Sequence, residues 1–229
     1  MIDIAAHAIK LDGQVYSHSL GKIVCVGRNY AAHAKELNNP VPTSPILFIK
    51  PASSAVSLAP SFTIPSDQGS VHHELEIAIL IGKPLTRANE QQVADSIAGI
   101  GLGLDLTLRD VQDKLKEKGH PWERAKSFDG ACPLTNFVSS DAITQTDWQV
   151  IELKLTKNGK VQQQGSSADM LFPILPLISH MSENFSLQPG DIILTGTPAG
   201  VGPLEVGDQL QCQLVLDGKE LLAANTEVL

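Results

Sequence analysis

The chain has 229 residues, of which 42% are hydrophobic and 18% charged, and its formal net charge is −8. This length is enough to bury the core of one domain. The acidic balance argues against a nucleic acid or an anionic membrane as partner, because those partners require clustered Lys and Arg. No apolar run approaches the ~20 residues needed to span a bilayer. We therefore expect a cytoplasmic protein that acts on a small molecule, with no nucleic-acid and no membrane partner.

The three cysteines, Cys25, Cys132 and Cys212, are far apart in the chain and form no C-x-x-C pair. This spacing is typical of reduced thiols in a protein core rather than of a disulfide framework or a zinc site. No low-complexity tract or long polar linker divides the chain. We expect residues 1–20 to be an N-terminal extension packed on the same domain as residues 21–229, which form that single domain.

The first predicted elements lie before Pro45. The apolar segment GKIVCVG precedes a short helix predicted over Tyr30–Leu37, which the stretch NPVPTSP ends. A short helix with an exposed, proline-rich exit is what a lid would look like. Residues 28–45 are therefore predicted to be a lid segment.

The stretch VHHELEIAILIG, residues 71–82, places Glu74 and Glu76 at alternate positions of an apolar segment. In a strand both carboxylates would point to one face, about 6.6 Å apart, which is close enough for one cation to contact both. Taken alone, this spacing favours a half-buried strand with one wet face. The zinc-protease pattern H-E-x-x-H does not fit, because Ile77 stands where the second His would be.

A helix is predicted in NEQQVADSIAG, and the glycine-spaced strand IGLGLDL follows it and ends at Asp105. The glycines lack the G-x-G-x-x-G spacing and no helix follows at the right place, so we expect no dinucleotide site. A carboxylate that ends an apolar strand just before a helix can face a cleft. Asp105 is therefore a candidate site residue.

Thr107 is predicted to cap a helix in LRDVQDKLKEKG, with Asp110 as its partner at the third helical position. Arg109 and Gln112 lie three positions apart in this helix. One face of the helix can therefore present a guanidinium and an amide to a carboxylate or a carbonyl.

The remainder of the chain is mostly strand. Asn158-Gly159 and Asp217-Gly218 are predicted two-residue hairpin turns, and one further helix is predicted in LFPILPLISHMSEN. Strands with a few separate helices predict an α+β fold whose sheets form a roll or sandwich, rather than a regular βαβ alternation. The segment TGTPAGVG is no Walker loop, but it offers hydroxyls and unhindered backbone amides to an anion.

Glu74, Glu76 and Asp105 together are a candidate metal site. Three carboxylates without a Cys or a suitably spaced His favour Mg²⁺ or Mn²⁺ over Zn²⁺. Because the three acids with one divalent ion keep a net negative charge, an anionic substrate would also need cations. The nearby candidates are Arg28, Arg109, Lys126 and Lys50. Taken singly, each is more typical of a solvated surface charge.

His33 and Glu36 lie three apart in the predicted lid helix and so share one face. A carboxylate that orients an imidazole raises its basicity, as a general base near neutral pH requires, but an ordinary surface pair has the same spacing. His72 and His73 flank the acids, and only one of them can share their face. The other histidines have no comparable local partner and are expected to be structural or exposed: His7, His18, His120 and His180.

Together these motifs resemble those of the fumarylacetoacetate hydrolase family, over most of the chain after about residue 20. The motifs that carry the resemblance are IVCVGRNYAAHAKE, PILFIKP, HHELEIAILIGK, GLDLTLRDVQ, WERAKSFDGACPL and GDIILTGTPAGVGP. The short length and the RDVQ…KGHPW…AKSFD run are most similar to the acylpyruvase branch. The resemblance implies a mixed β-sandwich roll with a few short helices, a homodimer, and Mg²⁺ or Mn²⁺ as cofactor.

The resemblance also implies roles for individual residues. The family's metal-binding acids match Glu74, Glu76 and Asp105. Its catalytic residues match His33, Glu36 and Lys126. Its substrate-binding positions match Arg28, Arg109, Gln112 and Thr197.

The implied function is cleavage of the C–C bond of an acylpyruvate, such as fumarylpyruvate or acetylpyruvate, to pyruvate and a carboxylic acid. The substrate would be a small anionic 2-oxo acid, and His33 with Glu36 would take a proton from the attacking water. The alternative is decarboxylation or keto–enol tautomerisation of oxaloacetate, because all three reactions need one electron sink. A non-enzymatic interaction protein stabilised by its metal is a further interpretation, which the presence of His33, Glu36 and Lys126 argues against.

Overall fold

The computed structural model describes residues 8–37, 40–141, 143–144 and 146–229. The strands are β1 (Lys10–Leu11), β2 (Gln14–Val15), β3 (Ile23–Gly27), β4 (Ile46–Lys50), β5 (Ala55–Ser57), β6 (Ser61–Phe62), β7 (Val71–His73), β8 (Leu75–Ile81), β9 (Ile97–Leu104), β10 (Thr107–Leu108), β11 (Cys132–Leu134), β12 (Val138–Ser139), β13 (Glu152–Lys157), β14 (Lys160–Ser166), β15 (Ile192–Leu194), β16 (Gly202–Pro203), β17 (Gln209–Leu216) and β18 (Lys219–Val228). The α-helices are α1 (Ala31–Glu36), α2 (Glu90–Ala94), α3 (Arg109–Glu117), α4 (Glu123–Lys126) and α5 (Ile174–Asn184). Single 3₁₀ turns lie at Ala52–Ser54, Asp147–Gln149 and Ser167–Asp169. Among the described residues, no helix has the length and apolar character that crossing a membrane requires.

The largest sheet is a mixed, eight-stranded one. Its strands lie in the order β4-β3-β15-β8-β9-β11-β5, and β12 also pairs with β9. The two strands at the ends of this path, β4 and β5, are consecutive in the chain and are joined by the 3₁₀ turn at Ala52–Ser54. The sheet therefore curls back on itself into a roll.

The inside of the roll is narrow at β9. A Cβ atom at Gly103 would lie 2.9 Å from the side chain of Leu194 and 3.0 Å from that of Leu134. Gly99 and Gly101, at alternate positions of the same strand, are crowded in the same way. Because alternate residues of a strand share one face, the glycine spacing read from the sequence is a packing requirement of the roll.

The outer face of the roll packs on a second sheet with the order β14-β13-β17-β18-β6. Ile77 and Ile79 of β8 share one buried apolar cluster with Leu153 and Leu155 of β13. Helix α5 contributes to the same cluster through residues such as Ile178. The predicted α+β fold, a mixed β-sandwich roll with a few short helices, is confirmed.

The predicted hairpins are confirmed in the second sheet. The turn between β13 and β14 lies at Asn158 and Gly159, and that between β17 and β18 lies at Asp217 and Gly218. All four residues have positive φ, as this class of two-residue turn requires.

The described part of the N-terminal extension lies against the roll. Ile9 belongs to the buried cluster inside the roll, and Tyr16 packs against that cluster. The backbone N–H of Asp12 donates to the carbonyl of Phe137 at 2.9 Å. Residues 1–7 of the predicted extension lie outside the described residues.

Two of the predicted helices begin close to their expected positions. Helix α1 is one residue shorter at each end than predicted, and Asn38 and Asn39 of the predicted lid lie outside the described residues. Helix α2 begins after Asn89, whose side chain accepts from the backbone N–H of Gln92 at 2.9 Å. It ends well before the end of the segment predicted as helix, because β9 already begins at Ile97.

The predicted cap of α3 is wrong. Thr107 belongs to β10, and its hydroxyl donates to the carbonyl of Asp105 at 3.0 Å. The helix begins at Arg109 without a side-chain cap, and Asp110 accepts from the backbone N–H of Ser70 at 3.1 Å. Pairing of β10 with β7 draws Thr107 into a small sheet, a tertiary contact that the local pattern does not contain.

The three cysteines are free and buried, as predicted. Burial raises the pKa of Cys132 and that of Cys212 to about 12. Burial also raises the pKa of Cys25 well above its ordinary value. These thiols are therefore protonated, unreactive parts of the core.

Candidate active site

Three carboxylates meet where β8 begins and β9 ends. Glu76 lies in β8, Glu74 lies in the short break between β7 and β8, and Asp105 directly follows β9. One oxygen of each carboxylate lies within 4.8 Å of the others, and all three side chains are buried. Glu76 shares its strand face with Ala78 and Leu80, which line the roll. The inner face of β8 is thus apolar at Ala78 and Leu80 and carries a carboxylate at Glu76, the second residue of the strand.

Three cationic side chains contact these acids. Lys126 Nζ lies 3.0 Å from Glu74 Oε2 and 2.5 Å from Asp105 Oδ2. Arg109 Nη2 lies 2.5 Å from Glu74 Oε1. Lys50, which is fully buried, places Nζ 2.8 Å from Asp105 Oδ1 and also donates to nearby backbone carbonyls. Because an unpaired buried charge is very costly, the acids and the cations require one another.

The cations do not stabilise the charged forms of the three acids equally. Burial alone would raise the pKa of Glu74, but Lys126 and Arg109 outweigh burial and lower it. The pKa of Glu76 is raised well above its ordinary value, by burial first and then by the charges of Asp105 and Glu74. Glu76 is therefore the acid at which negative charge is least compensated.

This donor set fits a hard divalent cation. It offers three carboxylate oxygens and neither a thiolate nor an imidazole, the pattern that Mg²⁺ and Mn²⁺ prefer. Glu76 Oε2 accepts from the backbone N–H of Gly196 at 2.5 Å, which holds the carboxylate in place. The residues that would hold the ion are Glu74, Glu76 and Asp105.

The histidine–glutamate pair predicted in the lid helix is formed. His33 Nδ1 lies 3.4 Å from Glu36 Oε2. The backbone N–H of Gly200 donates to both oxygens of Glu36, at 3.0 and 3.1 Å. His33 is buried and Glu36 is about one-third exposed, so the pair lies with the imidazole inward.

A second pair with the same spacing corrects one expectation. His180, expected to have no comparable partner, places Nδ1 3.7 Å from Oε2 of Glu183 in α5. The side chains of this pair are 40% and 63% exposed, against 5% for His33. Burial beside the acid cluster, rather than spacing, distinguishes His33 as a candidate base.

The glycine-rich segment at residues 195–202 binds carboxylates of the protein itself. The amide of Gly196 donates to Glu76 and the amide of Gly200 donates to Glu36. Gly196 has a φ of 95°, and a Cβ there would lie 2.6 Å from the side chain of Asn29. The expected anion-binding turn is present, and its anions are the site acids.

A small cavity of ≈ 30 Å³ opens beside the acids. Six of the ten predicted site residues line it: Arg28, His33, Glu74, Arg109, Gln112 and Lys126. Arg109 Nη1 donates to Gln112 Oε1 at 2.6 Å, so the predicted helix face is formed. Phe48, Trp122 and Lys116 also line the cavity, and sequence reasoning did not select them.

Thr197, predicted to bind substrate, is not among the residues that line the cavity. Its hydroxyl accepts from Gln163 Nε2 at 2.7 Å and donates to the carbonyl of Leu75 at 2.8 Å. In this structure Thr197 fastens the glycine-rich segment to β8. Contact with a substrate stays a prediction.

Gln163, on β14 of the second sheet, was not predicted as a site residue. Its amide oxygen accepts from the backbone N–H of Leu75 at 2.9 Å and lies 3.0 Å from His73 Nδ1. Its amide nitrogen also donates to the carbonyl of Pro198 at 2.9 Å. One buried side chain thus holds both chain neighbours of Glu74 and the glycine-rich segment. Only its burial in the folded structure distinguishes it, since VQQQG has the pattern of an ordinary exposed strand.

The comparison with protein families agrees with this site. The family model described as fumarylacetoacetate (FAA) hydrolase C-terminal matches residues 22–228. The chain belongs to the fumarylacetoacetate hydrolase family, as the motifs predicted.

Curated relatives cover most of the chain. The oxaloacetate tautomerase YcgM of Escherichia coli is 51% identical over 209 residues, which are 91% of this chain and 94% of the relative. The mitochondrial oxaloacetate tautomerase FAHD1 of Homo sapiens is 42% identical over 189 residues, 82% of this chain and 85% of the relative.

Solved structures show the same fold. A crystal structure from Oleispira antarctica, named by inference as a fumarylacetoacetate isomerase/hydrolase, is 73% identical with a TM-score of 0.95, and the match covers 96% of this chain and 99% of that one. Fumarylpyruvate hydrolase from Pseudomonas aeruginosa, solved in complex with Mn²⁺ and pyruvate, is 31% identical with a TM-score of 0.87 and coverages of 98% and 96%. Chains with this fold therefore include tautomerases and a hydrolase by name.

We predict that Gln163→Leu weakens Mn²⁺ binding about ten- to hundredfold, because the substitution releases the backbone on both sides of Glu74. Titration calorimetry of the purified protein measures this affinity without turnover. Gln164→Leu is the matched control, since Gln164 is the exposed next residue of the same strand. Equal Mn²⁺ affinity in the two variants would show that Gln163 does not position the acids.

Proposed function

We propose that the protein is a divalent-metal-dependent tautomerase that interconverts the keto and enol forms of oxaloacetate. The observation that carries this proposal is that the buried His33 lines one small cavity together with Glu74, an acid of the cluster that could hold a metal ion. The names of the curated relatives support oxaloacetate as the substrate. They also support tautomerisation over the hydrolysis of an acylpyruvate that the sequence motifs imply.

The reaction requires one proton to leave C3 of oxaloacetate and one proton to arrive on the C2 oxygen. His33 is placed to do both, because its Nδ1 faces Glu36 and its Nε2 remains for the substrate. Glu36 holds the ring orientation and favours the charged imidazolium that forms when the proton is taken. The composition of the substrate does not change, so neither water nor a leaving group is needed.

The remaining residues bind and orient the substrate. A divalent ion held by the three acids would supply electrophilic stabilisation of the enolate charge. Lys126 Nζ lies beside the cavity as a hydrogen-bond donor for the C2 oxygen. Arg109 and Gln112, fixed to each other at 2.6 Å, present further donors on one helix face.

Hydrolysis of an acylpyruvate is the second candidate. The observation that favours it is the similarity to the P. aeruginosa fumarylpyruvate hydrolase, together with a histidine–glutamate pair that suits activation of water. Decarboxylation of oxaloacetate would use the same acids and the same cations.

A cytoplasmic homodimer is the state in which we expect the protein to work.

The test is a substrate panel with purified protein, with and without Mn²⁺ or a chelator. We expect the ultraviolet absorbance of enol-oxaloacetate to relax to equilibrium faster than in a blank that contains the same metal. We expect at most slow formation of pyruvate from oxaloacetate or acetylpyruvate. Cleavage of acetylpyruvate or fumarylpyruvate with a larger kcat/KM than tautomerisation would replace this proposal by the hydrolase.

We predict that His33→Ala lowers kcat by about 10²–10⁴-fold, the usual contribution of a general acid–base group. Mn²⁺ binding and Tm should stay close to those of the unaltered protein, since among the described residues His33 forms no ion pair with Glu74, Glu76 or Asp105. His180→Ala is the matched control, because it removes the imidazole of the exposed pair with the same spacing. Full activity of His33→Ala would remove the pair from the mechanism.

A further inference from the structure

One cation at the cavity has no place in the mechanism above. Lys116 lies four residues after Gln112 and seven after Arg109, hence on the same face of α3, and all three side chains line the cavity. Lys116 Nζ lies 3.0 Å from Oδ1 of Asp113, whose side chain is 56% exposed. An ion pair with so exposed a partner is weak and readily exchanged. Lys116 is therefore available to an anion in the cavity.

Arg28 is a second such cation. It lines the cavity, and it forms no ion pair within the ranges of the chain that the structure describes. Its φ of 60° lies in the left-handed region, which is unfavourable for a residue with a side chain. Strained backbone of this kind is typical of functional positions. Burial lowers the pKa of Arg28 from its ordinary value, yet an arginine stays charged at neutral pH.

The deeper cations are already committed. Arg109 and Lys126 contact Glu74 at 2.5 and 3.0 Å, and Lys50 lies 2.8 Å from Asp105. Those contacts pair Glu74 and Asp105 with cations before any substrate enters. Arg28 and Lys116 therefore add positive charge to the cavity. Among the described residues, the acid that forms an ion pair with either of them is the exposed Asp113.

We propose that Arg28 and Lys116 form a subsite for the second carboxylate of a 2-oxo dicarboxylic acid. The inference rests on the proposed function and names the class of substrate for that site. The 2-oxo carboxylate end of the substrate would lie at the acid cluster, and the distal carboxylate would contact Arg28 and Lys116. A 2-oxo monocarboxylic acid leaves this subsite empty, so the subsite selects dicarboxylates.

The experiment compares Lys116→Met with Lys114→Met, a control that removes an exposed lysine from the same helix. The ligands are oxaloacetate and 2-oxobutyrate, which has a methyl group where oxaloacetate has its distal carboxylate. We expect Lys116→Met to raise the KM for oxaloacetate at least about tenfold with kcat nearly unchanged, since a charged contact made equally in ground and transition states is lost. We expect the inhibition constant of 2-oxobutyrate to change less than about twofold, and Lys116→Arg to restore the KM.

If Lys116→Met weakened the binding of oxaloacetate and of 2-oxobutyrate equally, the lysine would only attract anions. That result would overturn the subsite. An unchanged KM for oxaloacetate would overturn it as well. Calorimetric titration of both acids measures the same preference without turnover. The two proposals can also fail separately. If binding prefers oxaloacetate over 2-oxobutyrate through Lys116 but tautomerisation is not accelerated, the subsite is supported and the proposed function is wrong.

Discussion

Ion pairs between buried acids and buried cations hold this site together. Glu74 is paired with Arg109 and Lys126, and Asp105 is paired with Lys50 and Lys126. Glu76 forms no ion pair within the described residues and accepts from the backbone N–H of Gly196. An isolated charge would cost several kcal/mol to bury, and removing one partner leaves the other uncompensated. The cluster lies where β8 begins and β9 ends, so the surrounding strands fix the carboxylates more rigidly than loops would.

The fold supplies this arrangement from several distant segments. The curled sheet brings β8 and β9 side by side, the glycines of β9 keep the roll narrow, and β14 of the second sheet reaches in through Gln163. Two backbone amides of the glycine-rich segment donate to carboxylates: that of Gly196 donates to Glu76, and that of Gly200 donates to Glu36. The candidate metal site and the His33–Glu36 pair are therefore linked through one short segment.

The sequence predicted the parts of the site that have a local signature. Glu74 and Glu76 alternate in one segment, His33 and Glu36 share a helix face, and Arg109 shares a helix face with Gln112. It could not predict what three-dimensional packing decides. The contact of Lys50 with Asp105 depends on the closure of the roll. Gln163 of the second sheet contacts His73 of another sheet. Thr107 belongs to a strand instead of capping a helix. Spacing alone also failed to separate the His33 pair from the exposed pair at His180.

The most direct measurement is a Mn²⁺ titration of the purified protein, followed by the electron paramagnetic resonance signal of the free ion. We predict uptake of one Mn²⁺ per chain, with an affinity weakened at least about a hundredfold in Glu76→Gln because a charged ligand is lost. The exposed Glu152→Gln on β13 should bind as tightly as the unaltered protein. Absence of Mn²⁺ uptake, or equal uptake by both variants, would contradict the claim that the buried acids bind a divalent ion.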